Sequence, residues 1–240
     1  MGSASFEAEE DVRPVHQPRG HFKDRPFFTS RQIESICEES LRSVDLLPTI
    51  PSPVRIERFV EKRFNLCPDY AELPENVLGY TAFGPDGPSR MVIARLLADA
   101  GSKSSERRIN TTLAHESGHC LLHAHLFRRE EMSGTLFHED IIEPNTPKIL
   151  CRDEASGNYD GKWWEFQANA AIGPLLLPRH LLAEAVLPFL EARGLLGIEV
   201  LPDRTRRAAE LAVSEIFDVN PVAARIRLQQ LYANPNQEIL

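Results

Sequence analysis

The chain has 240 residues, of which 42% are hydrophobic and 26% are charged, a composition typical of folded globular proteins. This composition disfavours the fibrous, intrinsically disordered and membrane-embedded classes. With 27 lysines and arginines against 35 aspartates and glutamates, the net charge is −8, so the molecule as a whole repels nucleic-acid phosphates. We therefore expect no direct nucleic-acid binding.

The first 27 residues combine mixed charges and three prolines with little hydrophobic periodicity, so we interpret residues 1–27 as a flexible leader. The start, MGSASFEAEEDVRP, has acids where a secretory signal needs basic and then apolar residues. No stretch approaches the ~20 apolar residues of a membrane span. The four cysteines are scattered, which favours reduced thiols over a disulfide framework. These observations predict a cytoplasmic protein.

Two amphipathic helices are predicted after the leader. Thr29 and Gln32 have the spacing of a capping box, and apolar residues then recur at helical spacing as far as Val44. A second helix is predicted to start at Ser52 and Pro53, a cap followed by a proline at the first helical position. Both helices have one apolar face and are expected to cover a core.

A small β-sheet is predicted next. The strand-like runs 77–83 and 90–97 flank the turn-forming sequence Gly-Pro-Asp-Gly-Pro, which favours a hairpin. If a strand within 77–97 is exposed along its edge, it could bind an extended peptide substrate by backbone pairing.

The remainder of the chain is predicted to be helical. The two helices 107–126 and 163–177 carry the chemical signals, and the second should bend at Gly173-Pro174. The tail ends in two short helices joined by residues 217–220, which resemble a helix-turn-helix. Because residues 202–230 hold five basic and four acidic side chains, we favour two packed helices without a nucleic-acid role.

The main chemical signal is the HExxH sequence from His115 to His119. Residues four positions apart share one helix face, so both imidazoles point the same way at a spacing that suits zinc. Glu116 lies about 100° round the helix from His115, near such a metal without competing as a ligand. The pattern predicts a zinc site in which Glu116 removes a proton from water that the metal activates.

Two residues compete to be the third ligand. His125 has the spacing of the longer HExxHxxGxxH motif, but Leu122 stands where that motif has glycine. On an unbroken helix His125 would lie about 240° from His119 and point away from the metal. Glu165, from the second helix, would complete a site of two histidines and one carboxylate with a fourth position open for water.

Two further residues are candidates for supporting the ligands. His123 stays on the ligand face one turn beyond His119, where it would support a ligand or simply pack. Asn169 lies one turn after Glu165 and could donate to or accept from the ligand helix, although an ordinary polar position is an equal alternative.

Four residues have chemistry that the site could use but no predicted position. Tyr80, His138 and Tyr159 could donate a hydrogen bond to the oxyanion that develops during peptide hydrolysis, but a structural role is the preferred interpretation for each of them. Cys151 could approach the zinc as a redox-sensitive inhibitory ligand, but a buried thiol without that role is the preferred interpretation.

Two sequence blocks together resemble a known family. Residues 107–123 read RRINTTLAHESGHCLLH and residues 164–178 read WEFQANAAIGPLLLP. An HExGH motif with a nearby histidine, followed by a Glu-x-Gln-Ala-Asn segment and a Leu-Leu-x-Pro ending, is similar to the ImmA/IrrE family of zinc-dependent regulatory peptidases. The resemblance covers about 77–178. Ala171-Ile172 and Gly173-Pro174 depart from the family pattern.

The resemblance implies zinc ligands at His115, His119 and Glu165, with Glu116 as the catalytic base. It implies an α+β fold: a mainly helical zincin-like metallopeptidase domain with a small β-sheet and a C-terminal helical, helix-turn-helix-like extension. The expected division is a leader at 1–27, the peptidase domain at 28–178 and the extension at 179–240.

Family members cut helix-turn-helix repressors, so the expected substrate is a DNA-binding repressor protein. An acidic surface suits a partner with a basic face. The alternative is a non-catalytic zinc-containing module that sequesters a repressor or an antitoxin-type partner. A base beside the ligands argues against that alternative, because a purely structural zinc site has no use for Glu116.

Overall fold

A computed structural model describes residues 14–15, 25–126, 148–152, 163–193 and 197–232. Most of the predicted leader lies outside the described residues, as do His138 and Tyr159. Within the described ranges the protein is α+β, with helices around a small mixed sheet. A short ribbon pairs β1 (Pro14–Val15) with β2 (Arg25–Pro26).

The first two helices test two cap predictions. Helix α1 (Ser30–Ser43) has the predicted capping box: Thr29 Oγ1 accepts from the Gln32 amide, and the Gln32 side chain accepts from the Thr29 amide. Helix α2 (Ile56–Phe64) starts at Ile56 and not at Pro53. The predicted cap is wrong because the Ser52 hydroxyl donates to the carbonyl of Ile50 and forms a turn.

The sheet has four strands, in the order β3 (Asp69–Ala71), β5 (Gly87–Ala94), β4 (Val77–Gly84) and β6 (Lys148–Arg152). Strands β4 and β5 form the predicted hairpin, and β3 runs parallel to β5. The second predicted run is too long, since residues 95–97 belong to the short helix α3 (Arg95–Asp99). Apolar residues at the end of a strand do not by themselves distinguish strand from helix.

Strand β4 does not have an exposed edge. It pairs with β5 on one side and with the antiparallel strand β6 (Lys148–Arg152) on the other. The expectation of an open strand is therefore wrong for β4. Strand β5 is covered in turn by β3 over Val92–Ala94.

Helix α4 (Lys103–Leu122) is the central element and lies between the sheet and helix α5 (Trp163–Leu176). Two glycines make this possible. A Cβ on Gly79 of β4 would lie 2.8 Å from Thr112 Cγ2, and a Cβ on Gly118 of α4 would lie 3.0 Å from Ala168 Cα. Real Cβ atoms essentially never lie 2.8 Å from a neighbour, and a separation of 3.0 Å is unusually tight, so glycine at both positions lets the sheet and α5 approach α4.

The C-terminal part follows α5, which passes through Pro174 without ending. Its elements are listed in chain order: α6 (Arg179–Val186), a 3-10 turn (Leu187–Phe189), β7 (Glu191–Arg193), β8 (Ile198–Val200), α7 (Asp203–Ile216) and α8 (Pro221–Leu231). Helix α8 begins as predicted, with the Asn220 side chain accepting from the Val222 amide and Pro221 in the first turn. The ribbon of β7 and β8 was not predicted.

One hydrophobic core serves both predicted domains. Buried residues of α1, α2, β5, α4, α5, α6, α7 and α8 belong to a single cluster. The predicted boundary between residues 178 and 179 therefore runs through a shared core. Within the described ranges no single helix is long and apolar enough to cross a membrane, and the one pair that reaches that length, α5 with Arg179–Phe189, bends by 58°.

Candidate metal centre

The two histidines of the motif lie side by side on the buried face of α4. The Nε2 atoms of His115 and His119 are 2.9 Å apart, and the residues are 4% and 0% exposed. Their spacing of four residues places one ring a turn above the other on the same face. Both rings thus direct the same nitrogen at one point.

Glu165 reaches that point from the first turn of α5. Its Oε2 atom lies 3.1 Å from Nε2 of His115 and 3.5 Å from Nε2 of His119. Among the described residues, these three form the one group of histidine, cysteine and acidic side chains that could hold a metal ion. His125, the competing third ligand, is exposed and is not part of this group.

The donor set fits a divalent metal. Two imidazole nitrogens and one carboxylate oxygen are a common ligand set for zinc at catalytic sites. A tetrahedral ion with bonds of about 2.0–2.2 Å separates its ligand atoms by roughly 3.3–3.6 Å, close to the separations of 2.9, 3.1 and 3.5 Å here. A buried metal could therefore be held with little rearrangement of the three side chains.

Each histidine has a hydrogen-bond partner behind it. Nδ1 of His115 lies 3.0 Å from Oδ1 of Asn169, and Nδ1 of His119 lies 3.0 Å from Nδ1 of His123. His123 in turn contacts Gln167, with 3.0 Å between Nε2 and Oε1. The structure thus places both predicted supporting residues against the histidine rings.

Gln167 was not singled out from the sequence. It is 3% exposed and lies in α5 between Glu165 and Asn169. A signal was present, because a glutamine amid the apolar residues of α5 must find a hydrogen-bond partner if it is buried. The identity of that partner depends on how α5 packs against α4.

Glu116 is fully buried, and its two carboxylate oxygens differ. Oε2 accepts a 2.6 Å hydrogen bond from Oγ1 of Thr81 on β4. Oε1 accepts no hydrogen bond from any described residue. Burial raises the pKa of Glu116 from 4.5 to about 7, although the neighbouring His115 and the Thr81 hydrogen bond act in the opposite direction. A carboxyl in this range can take up and release a proton near neutral pH.

The pKa values of the buried histidines and of Glu165 are shifted by different causes. Burial lowers the pKa of His119 and lowers that of His123 well below its ordinary value. For Glu165 burial acts to raise the pKa, but the charge of His119 and the hydrogen bonds from both histidines outweigh it and lower the pKa strongly. A neutral imidazole and an ionised carboxylate are the forms that ligate a metal, and the pKa values of His119 and Glu165 are shifted toward these forms. The pKa of His115 shifts the other way: burial acts to lower it, but the hydrogen bond with Glu165 and the charge of Glu116 raise it in the absence of a metal.

Of the residues considered for oxyanion stabilisation, the described ones include only Tyr80. It packs with Ala82 and Val92, away from the metal group. Thr81 contacts Glu116, and neighbouring residues of a strand point to opposite faces, so Tyr80 faces away from the site. This position agrees with the structural role that is the preferred interpretation for Tyr80. Cys151 lies on β6 opposite Gly79, and its side chain lies outside the described residues.

No protein-family model matches the sequence, and no curated protein matches it either. The likeness to the ImmA/IrrE family therefore rests on the motif residues of α4 and α5 alone.

Proposed function

We propose that the protein is a zinc-dependent endopeptidase of the ImmA/IrrE type. The observation that carries the proposal is the position of Glu116. Its side chain is fully buried and interacts electrostatically with His115 and Glu165, and its Oε1 atom accepts no hydrogen bond from the described residues. A buried carboxylate oxygen without a hydrogen-bond donor lowers the stability of the fold, and such groups are retained mainly where they serve a function.

Each residue has a distinct part in the proposed reaction. His115, His119 and Glu165 would hold the zinc, which when bound supplies a Lewis acid for the peptide carbonyl and for the attacking water. Glu116 would accept the proton of that water at Oε1 and pass it to the leaving amine. Thr81 holds Oε2 by its hydrogen bond, so Oε1 is the oxygen that remains available.

The proposed substrate is a DNA-binding repressor protein. The motif resemblance supports this choice, and so does the net charge of −8, which favours encounter with a basic partner. The same reasoning makes the protein a regulator that acts on transcription through cleavage, without contact of its own with nucleic acid.

A non-catalytic zinc module that sequesters a repressor is the alternative. In such a module the ligand set would be complete in itself, and a buried acid with a free oxygen would only reduce stability. The environment of Glu116 therefore favours the peptidase over the module.

The test compares the wild-type protein with Glu116→Gln, which keeps the shape of the side chain and the hydrogen bond from Thr81. Both proteins are analysed for bound metal and then incubated with a peptide library prepared from a cellular proteome. We expect one zinc in each protein and new peptide termini only with the wild type. The exposed Glu106→Gln, on the same helix, is the matched control and should cleave normally.

Two results would contradict the proposal. Cleavage by Glu116→Gln at the wild-type rate would show that Glu116 is not the general base. Zinc-loaded wild type that generates no termini beyond those of Glu116→Gln would favour the non-catalytic module. Loss of cleavage with a chelator and recovery with added zinc would exclude a contaminating peptidase that needs no metal.

A further inference from the structure

The metal site imposes a proton requirement on His119. If Nε2 of His119 ligates the metal, that nitrogen has no proton, and the neutral ring must carry its proton on Nδ1. His119 is 0% exposed, so the Nδ1 proton needs an acceptor within the protein. The atom that faces it, at 3.0 Å, is Nδ1 of His123.

This contact determines the tautomer of His123. Two protonated Nδ1 atoms cannot form a hydrogen bond with each other, so Nδ1 of His123 must be the unprotonated acceptor. A neutral His123 then carries its proton on Nε2, which lies 3.0 Å from the Gln167 carbonyl oxygen. An amide oxygen can only accept a hydrogen bond, so Gln167 ends the chain. The position of the proton on each of the two imidazole rings is then determined.

His123 and Gln167 are held firmly enough to act in this way. His123 is 0% exposed, and its ring lies edge-on to Trp163 with 5.6 Å between the ring centroids. Gln167 is 3% exposed on α5. The close approach of α5 to α4 at Gly118 fixes the distance between the two helices.

We propose that Gln167 and His123 form a relay of hydrogen bonds that fixes the tautomer of His119 and so presents its Nε2 lone pair to the metal. Both are positioning residues, since neither is placed to touch the metal. The inference rests on the metal site of the proposed function. It deepens that function by adding Gln167 to the residues on which metal affinity depends. His115 has a simpler arrangement, in which its Nδ1 atom faces the side chain of Asn169 directly.

The first experiment measures the affinity for zinc alone by competition with a chromogenic chelator. His123→Phe removes the acceptor for His119, and we expect zinc affinity to fall about 10–100-fold. His123→Asn places an amide oxygen near the original Nδ1 and should restore affinity to within about threefold of wild type. Gln167→Met keeps the volume but removes the last acceptor, and we expect a loss of about tenfold.

The matched control is His125→Phe, which removes an exposed imidazole two residues further on and should leave affinity unchanged. Thermal unfolding of the metal-free variants separates a folding defect from an affinity defect. If folded His123→Phe binds zinc as tightly as wild type, the relay is overturned. It is also overturned if His123→Asn binds as weakly as His123→Phe, because loss of packing would then explain both.

The second experiment reads the tautomers directly by long-range proton–nitrogen NMR of the imidazole rings. We expect a protonated Nε2 on His123 and, in the zinc-loaded protein, a protonated Nδ1 on His119. A His123 ring protonated on Nδ1 alone would overturn the inference. The His123 ring is also read in the metal-free protein. If the wild type binds no zinc, the inference and the proposed function both fail. If zinc-loaded wild type cleaves nothing, only the proposed function fails, and the zinc affinities and this spectrum still decide the inference.

Discussion

Helix α4 takes part in two polar clusters, each centred on buried side chains, and their hydrogen bonds are satisfied to different degrees. Near its start, Arg107 donates to Asp218, Ser214 and Glu215, with Nε, Nη1 and Nη2 at 2.9, 3.2 and 2.9 Å from their acceptors. These hydrogen bonds connect α4 to the end of α7 and to the turn that follows α7. Near the end of α4, the histidines and Glu116 face Glu165.

The second cluster is the one that is incomplete. Among the described residues, the only buried side-chain nitrogen or oxygen atoms without a hydrogen-bond partner are Oε1 of Glu116 and Oγ of Ser117. Both lie within the HExxH motif. The comparison shows that a buried charge does not by itself indicate a functional site, because the Arg107 side chain is also buried. The distinguishing property is a polar atom left available.

The largest expected effect is a gain in stability when Glu116 is replaced, whereas replacement of Arg107 in the other cluster should lower the stability. In the metal-free protein Glu116 has a pKa of about 7 instead of 4.5. A carboxyl whose pKa is higher when folded stabilises the fold below pH 4.5 and loses that contribution as the pH rises through 7. Glu116→Gln should therefore stabilise the metal-free protein by roughly 3 kcal/mol at pH 8.

Urea unfolding at several pH values measures this gain, which should shrink steadily as the pH falls from 8 to 5. The exposed Glu39→Gln on α1 is the control and should change little at any pH. A gain that is independent of pH would mean that Glu116 does not carry the charge that burial disfavours.

The next effect has the opposite sign. Arg107→Met removes a buried partner of Asp218 and Glu215, whose own side chains are 37% and 63% exposed, so we expect the free energy of unfolding to fall by only about 1–2 kcal/mol. The control is Arg58→Met, which breaks the exposed pair with Glu61 and should cost no more than about 1 kcal/mol. Zinc stoichiometry should be normal in both variants. Loss of zinc from folded Arg107→Met would show that the two clusters are not independent.

Thr81 tests the catalytic half of the second cluster. Thr81→Val removes the hydrogen bond to Glu116, and a bond to a charged acceptor contributes about 1.5–3 kcal/mol, so kcat/KM should fall about 10–100-fold. The acid limb of the pH profile should move to higher pH, because this bond lowers the pKa of Glu116. Thr81→Ser keeps the hydroxyl and should restore both. Normal activity in Thr81→Val would show that the hydrogen bond from Thr81 does not contribute to catalysis.

The smallest expected effect concerns the spacing of α4 and α5. Gly118→Ala adds a Cβ 3.0 Å from the Ala168 backbone, which overpacking makes unfavourable by about 1–3 kcal/mol. Alanine in a helix recovers about 1 kcal/mol, so the net loss of stability should be about 1 kcal/mol. Zinc affinity should fall as well, because Glu165 and Gln167 both move with α5. Gly84→Ala, whose Cβ would be 3.7 Å from the nearest atom, is the control. Unchanged zinc affinity in Gly118→Ala would show that metal binding does not depend on the spacing of the two helices.

The sequence by itself determined the features that depend on neighbours in the chain. The capping box at Thr29, the cap at Asn220 and the hairpin of β4 and β5 follow from local hydrogen bonds and turn residues. The shared direction of His115 and His119 follows from helical periodicity. Each of these signals spans a few residues, so it can be read without knowledge of the rest of the fold.

Only the tertiary structure decided which distant residues meet. Strand β6 covers β4, Thr81 donates to Glu116, and Gln167 accepts from His123, although 35 residues separate the second pair and 44 the third. Nothing in the local pattern specifies such pairs, because they depend on how closely whole elements approach. Here that distance is decided by the glycines at positions 79 and 118, where a single added carbon would separate the elements.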